Sequence, residues 1–465
     1  MVARDIHRGE MTSKSLHSRV PVVLLIVAAA LCALRFFDLN SAPFINDEPQ
    51  LQLLLDQHLA AHSFPVIGLW GTHSVRYGPA ALWFYYPVRL ITDQVNSIIA
   101  CFAMIIVAGF ALMVAGVWKS VGKNTAAWVA AFAASSPYLF FYSRLPWDNT
   151  LLIFVVALVC LCVVRLDHKA SDLDSALLGV GCGLIFNLHL MALPIFGAVA
   201  LTLFPAVHRR WNESRELRVR TLKGLVISIV LFACVIFPYL RVVWQTLLKS
   251  HQFSPLLPNL GSGLKHTGRY LSWSAMGYFL EGPKDFRDML FDRPLSMIYR
   301  LDPSILLKIA AWAGVLITGW KLLKRKEPVP AIQRMAFFSI VLLMLYYAGL
   351  SMDMNQPHYF MPIWWVMIFF AALAIEKSHG KLRALLTVAG VATIGMNIFF
   401  VFAAHCWILQ NHGTRGIHYT PVHADLESVV GQICADAIQR HPADLPSVSL
   451  EAQDVIGIFP FSVEY

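Results

Sequence analysis

Several runs of this chain extend for about twenty residues with almost no charge, among them 96–118, 224–244 and 384–404. About 20 apolar residues in a helix cross the hydrocarbon core of a bilayer, and a helix satisfies its own backbone polar groups there. A large soluble helical core would need charged amphipathic helices between such runs, and the chain lacks them. Only 14% of residues are charged, against roughly 25% in soluble domains. The pattern predicts an all-α polytopic membrane protein of about eleven spans. They are expected near 20–36, 96–118, 124–142, 149–165, 174–190, 191–207, 224–244, 303–322, 335–352, 358–375 and 384–404. A charged segment precedes the first span and no small-residue cleavage site follows it. It therefore reads as a retained anchor and not as a signal peptide.

The net charge of +9 invites a nucleic-acid partner, but the distribution of charge argues against one. With the N-terminus inside, 22 of the 37 Lys and Arg residues fall in short inner segments such as 209–223 and 321–334. That is the positive-inside bias of a membrane protein. The organisation expected is an inner segment 1–19, a membrane domain 20–404 and an outer C-terminal cap 405–465. Within the membrane domain, long outer loops span 37–95 and 245–302. Most cysteines lie in spans, where they pack as small apolar residues. Cys406 and Cys434 fall outside, and a disulfide between them is an open expectation. No cysteine–histidine spacing suggests a metal site.

The first outer loop carries the densest chemical signal. It opens with Phe44-Ile45-Asn46-Asp47-Glu48-Pro49-Gln50. Leu51, Leu54, Leu55 and Leu59 then share one helical face, which predicts an amphipathic helix along the membrane surface. Aromatic residues crowd positions 77–86, a composition suited to the headgroup level. Asp47 and Glu48 have two compatible readings: caps of the helix that Pro49 starts, or carboxylates held ionised for general-base work. Asp148, after Ser143-Arg144-Leu145-Pro146-Trp147, is either the partner of Arg144 at a helix end or a second functional acid. Arg144 serves Asp148 or a phosphate. Arg76, in a Gly-Pro turn, and Arg241, at the outer end of a span, either reach for lipid headgroups or hold a phosphate. His189, near an outer helix end, is an intramembrane polar group that pairs locally or serves a site. His358 and Tyr359 form either part of an interfacial belt or donors to a phosphate.

Together these residues resemble the C-type membrane glycosyltransferases that use polyprenyl-phosphate sugars. The resemblance lies with the bacterial branch related to protein O-mannosyltransferases and the lipid A aminoarabinose transferase. Four features carry it: Asp47-Glu48 after the first span; Arg76-Tyr77-Gly78-Pro79-Ala80-Ala81-Leu82-Trp83; Ser143-Arg144 with Asp148; and Pro357-His358-Tyr359 with Pro362. It covers residues 20–245 well and the rest only by topology. It implies that Asp47 is the general base, Asp148 the second acid and Arg76 a donor-phosphate ligand. Two positions depart from the pattern, since Gln50 and His189 stand where the aminoarabinose branch has Arg and Lys. Some relatives need a divalent metal at the acidic pair. A divalent cation is thus left open, and no other cofactor is implied.

The function expected from the resemblance is an inverting glycosyltransferase of the bacterial inner membrane. It would move a sugar from a polyprenyl-phosphate donor to a glycan, lipid or protein acceptor on the periplasmic face. The competing readings are a lipid or glycan transporter or flippase without chemistry, and a polysaccharide ligase or polymerase. A transporter would place polar residues at mid-membrane in repeated halves, whereas the ionisable residues here gather at the outer boundary.

Overall fold

The computed structural model describes residues 20–42, 47–69, 76–250, 303–324, 327–350 and 357–411, with a few positions beyond. The inner segment 1–19, most of the expected loop 245–302, and Cys434 lie outside the described residues.

The described chain is a helical bundle. Its helices are α1 (Val20–Phe36), α2 (Asp47–Ala60), α3 (Ala80–Arg89), α4 (Val95–Val121), α5 (Lys123–Ser135), α6 (Pro137–Tyr142) and α7 (Asp148–His168). There follow α8 (Asp172–Leu188), α9 (Pro194–Glu213), α10 (Arg215–Ser250), α11 (Ser304–Lys324), α12 (Ala331–Leu350), α13 (Val366–Lys377) and α14 (Gly380–Asn411). Beyond the helices, Ser449–Glu451 and Ser462–Glu464 pair as two short antiparallel strands.

Seven helices among the described residues are long and apolar enough to cross a membrane: α4, α7, the segment containing α9, α10, α11, α12 and α14. The other four expected spans form shorter or broken helices. The first is the 17-residue α1 and the fifth is the 17-residue α8. The expected span 124–142 breaks at Ser136, whose hydroxyl accepts from the Leu139 backbone N–H at 3.3 Å while Pro137 starts α6. The expected span 358–375 begins as a 3-10 helix, Pro357–Ile363, and becomes α-helical only at Val366.

Helix α7 sits at the centre, packed against α4, α8, α9, α12 and the 3-10 helix. Its approach to α4 depends on Gly109, where a Cβ would lie 2.7 Å from the Phe154 Cα. Small residues at such crossings let helices meet without a hydrophobic driving force from lipid. Helix α10 lies at the periphery against α8 and α9, with Leu225, Val226, Ile229 and Phe237 exposed. Apolar side chains facing outward along so long a helix suit hydrocarbon and not water. At the opposite end from the site described below, Arg334 joins three elements. It donates to Asp167 Oδ1 at 2.6 Å, the Thr202 carbonyl at 3.0 Å and the Val329 carbonyl at 2.7 Å.

The segment 47–89 folds back onto the bundle. Leu51 and Leu55 of α2 are buried, and Asp56 pairs with Arg89 of α3 through two contacts of 2.8 and 3.3 Å. The amphipathic face predicted for α2 is thus covered by protein, and Arg89 holds two juxtamembrane helices together. Gly109→Val should force α4 and α7 apart and cost about 1–3 kcal/mol, the usual scale of overpacking. Thermal unfolding of the purified protein in detergent reads this as a lower midpoint.

Candidate functional site

The site forms where helices start or break at one end of the bundle. Helix α2 opens with Asp47 and Glu48 in its first turn. Helix α7 opens with Asp148, directly after the turn Leu145–Trp147. That turn is held from several sides. Thr150 Oγ1 donates to the Leu145 and Trp147 carbonyls at 2.9 and 2.7 Å, and the Tyr85 hydroxyl donates to the Pro146 carbonyl. The fixed turn presents the Trp147 indole to Asp47, with Nε1 donating to Oδ2 at 2.6 Å.

Asp148 is only 3% exposed, and its Oδ1 accepts from the Asn149 backbone N–H at 2.7 Å and the Asn149 side-chain amide at 3.1 Å. It lies within electrostatic reach of Asp47. Burial pushes the Asp47 carboxyl above its ordinary range, and the Trp147 hydrogen bond pulls it part of the way back. The sequence reading kept this carboxylate ionised through the helix terminus alone. In the folded protein desolvation outweighs that help. A carboxylate raised toward neutrality is a better proton acceptor than one held far below it.

Aromatic residues close the site. The Tyr77 ring lies 4.7 Å from His189. Burial first, then the charges and hydroxyls of Asp148, Tyr359, Asp47 and Tyr239, push its phenol well above the ordinary value. Burial and the neighbouring Glu48 do the same to Tyr85. On the other side the Trp147 ring meets His358 edge-on at 4.7 Å, and His358 meets Tyr359 at 4.3 Å. The Tyr347 hydroxyl anchors this segment on the Tyr359 carbonyl at 2.6 Å. The loop bearing Tyr77 is fixed by a backbone pair with Gly68 and Leu69, and by Gly78, where a Cβ would come within 2.4 Å of the Asn187 Oδ1. Only glycine fits that approach of the loop to the end of α8.

The structure therefore gathers Asp47, Glu48, Asp148, His358 and Tyr359 into one cluster, with His189 at its edge beside Tyr77. The basic residues fare differently. Arg144 is fully buried, but its guanidinium turns away from Asp148. It donates to the Asp38 carbonyl and to the Ser41 hydroxyl at 3.1 Å, and lies over the Phe140 ring. Among the described residues it forms no ion pair with Asp148, one of the two partners the sequence left open for it. Both partners belong to the single turn Asp38–Ser41 that follows the first span. His189 Nδ1 accepts from the Met191 backbone N–H at 3.2 Å, so this nitrogen carries no proton and the ring caps a turn. The Arg76 carbonyl accepts from the Tyr239 hydroxyl at 2.7 Å, which holds its segment against α10. Arg241, two residues beyond Tyr239, is exposed.

Tyr77, Tyr85, Trp147, Asn149 and Tyr239 carry much of the geometry and were not singled out as site residues from sequence. The signal available was position: Trp147 and Asn149 flank Asp148, and Tyr77 and Tyr85 sit in the aromatic run of the first loop. Among the described residues no three His, Cys, Asp or Glu side chains stand close enough to hold a metal ion. The acidic pair does not by itself complete a cation site.

No sequence-family model matches the chain, and no curated protein sequence matches it. Similarity appears at the level of structure. ArnT from Cupriavidus metallidurans, bound to undecaprenyl phosphate, superposes with a TM-score of 0.53 at 13% identity, over 92% of this chain and 82% of that one. The Archaeoglobus fulgidus oligosaccharyltransferase, in complex with Zn and sulfate, superposes with a TM-score of 0.50 at 14% identity, over 82% of this chain. The chain spans only 53% of the length of that archaeal protein. The fold is that of the C-type membrane glycosyltransferases.

Arg144 ties its own helix end to the turn Asp38–Ser41, so Arg144→Met should remove the hydrogen bonds of a buried guanidinium and cost about 1.5–3 kcal/mol. A lower thermal midpoint of the purified protein in detergent is the expected outcome. An unchanged midpoint would contradict the structural role.

Proposed function

We propose that this protein is an inverting glycosyltransferase that takes a sugar from a polyprenyl-phosphate donor. The observation that carries this reading is the Asp47 carboxylate, half-buried, oriented by Trp147 and set within electrostatic reach of Asp148 at the boundary end of a C-type fold. ArnT of that fold is described bound to undecaprenyl phosphate, which supports a lipid phosphate as the leaving group here.

In the proposed reaction Asp47 takes the proton of an acceptor hydroxyl. The acceptor oxygen attacks the anomeric carbon from the face opposite the phosphate. The bond from that carbon to the phosphate oxygen breaks, and polyprenyl phosphate leaves with the electron pair. Because the leaving group is good, the protein's task is to position the acceptor, accept its proton and stabilise the departing phosphate. Asp148, held by Asn149, orients the acceptor from the other side. Arg76 and Arg241 are proposed to meet the phosphate, with His358 and Tyr359 as further donors. Arg144 and His189 are assigned to holding the surrounding turns. The reading places the chain in a bacterial inner membrane with the cluster facing the periplasm. The acceptor is a glycan, lipid or protein bearing a free hydroxyl.

The test separates capping from catalysis. Asn caps a helix about as well as Asp but accepts no proton at neutral pH. Asp47→Asn should keep its fold and its affinity for undecaprenyl phosphate while transfer falls about 100-fold or more, the scale of losing a general base. Mass spectrometry of envelope glycans from a complemented deletion strain reads the loss. Transfer at the wild-type rate would make the carboxylate structural and remove the mechanism.

A further inference from the structure

Trp147 is held more firmly than a helix-flanking residue needs to be. Its own N–H donates to the Leu145 carbonyl at 2.8 Å, and its carbonyl receives the Thr150 hydroxyl at 2.7 Å. The side chain is 7% exposed. Its ring stacks near Tyr142 at 6.3 Å and 18°, and takes the His358 ring edge-on at 4.7 Å. Backbone and ring are thus both fixed, and the indole N–H has one direction in which to point. That direction is Asp47 Oδ2, at 2.6 Å.

An indole nitrogen only donates. Bonded to one carboxylate oxygen it fixes the rotamer and leaves Oδ1 as the atom available to an incoming proton. A donor to a charged acceptor also makes a stronger bond than a donor to a neutral one, so the contact favours the ionised form. We propose that Trp147 is the positioning residue of the base, orienting Asp47 and keeping it ionised in a site whose other features resist ionisation. This rests on the reading of Asp47 as a general base.

The surroundings of Asp47 make such a donor matter. Burial resists its ionisation, and the Trp147 N–H is the side-chain hydrogen bond that opposes this. Asp148 on α7 lies within electrostatic reach, Tyr77 and Tyr85 come from the first loop, His358 and Tyr359 from the 3-10 helix, and Arg76, beside Tyr77, is the cation of that loop, its carbonyl held by Tyr239. Without the indole N–H, burial would act on Asp47 unopposed by a side-chain hydrogen bond. The sign follows. Removing the donor raises the Asp47 pKa, so the base is lost at a higher pH on acidification. Loss of one charge-assisted bond corresponds to a shift of about one to two pH units.

The experiment uses the full-length protein purified in detergent. Infrared difference spectroscopy follows the protonated carboxyl C=O stretch as pH is raised, with Asp47→Asn identifying the Asp47 band. In Trp147→Phe that band should persist to a pH about one unit or more above wild type. The acid limb of the pH–rate profile should move with it, using a lipid extract of the producing cells' membranes as the source of donor and acceptor. Trp147→His, which restores a ring N–H, should bring both back toward wild type. If the Phe protein fails to accumulate, Trp147→Leu carries the same expectation. An Asp47 band that titrates as in wild type, or a rate lowered equally at every pH, would overturn the proposal. With Asp47→Asn inactive, such a result sinks Trp147 alone. If Asp47→Asn transfers sugar normally, the base itself falls and this inference falls with it.

Discussion

Backbone polar groups buried in hydrocarbon must find partners inside the protein, and the site occupies the places where helices fail to supply them. The chain leaves regular helix at Ser136, between Ser143 and Trp147, at His189 and from Pro357 to Ile363. At each break side chains take over the work of the helix ladder. Ser136 caps α6, Thr150 and Tyr85 hold the turn before α7, His189 caps the turn after α8, and Tyr347 holds Tyr359. Three of these breaks meet around Asp47 and Asp148. The irregular backbone that membrane burial tolerates only when enclosed is therefore also what aims the polar groups.

Enclosure sets the chemistry as well. A carboxylate at a helix start in water would be a low-pKa cap. Here the same residue sits among aromatic rings, where the loss of solvent outweighs the helix terminus, and a single indole N–H limits how far the effect goes. Two basic residues near the acids are engaged elsewhere. Arg144 ties the end of the first span to α6, and Arg89 joins α2 to α3. The cluster is left acidic and aromatic, a setting for accepting a proton more than for holding an anion unaided.

Much of this was legible in the chain. Runs without charge marked the long helices because their period does not matter when every face is apolar. The leucines of α2 marked an apolar helix face, expected on the membrane surface but found covered by protein, and Asp47-Glu48-Pro49 marked a helix start. The partners were not legible. Arg144 and Asp148 are four residues apart and of opposite charge, yet the turn Asp38–Ser41 after the first span claims the guanidinium. The expected span 124–142 reads as continuous by hydropathy, but Ser136-Pro137 is a cap and a first-turn proline that end one helix and begin another. Tyr77 and Tyr85 looked like members of an interfacial belt, because nothing local distinguishes a ring facing headgroups from one folded onto a carboxylate. These are tertiary choices, decided by which backbone groups lacked a partner.

The central claim is that the Asp47–Asp148 cluster is where a lipid-linked sugar reacts. Cryo-electron microscopy of the full-length protein in nanodiscs with a polyprenyl-phosphate sugar tests it most directly. The account predicts the anomeric carbon beside Asp47, with the Trp147 indole still bonded to Oδ2 and the phosphate toward Arg76. A sugar headgroup bound away from this cluster, with Asp47 and Asp148 untouched, would contradict it.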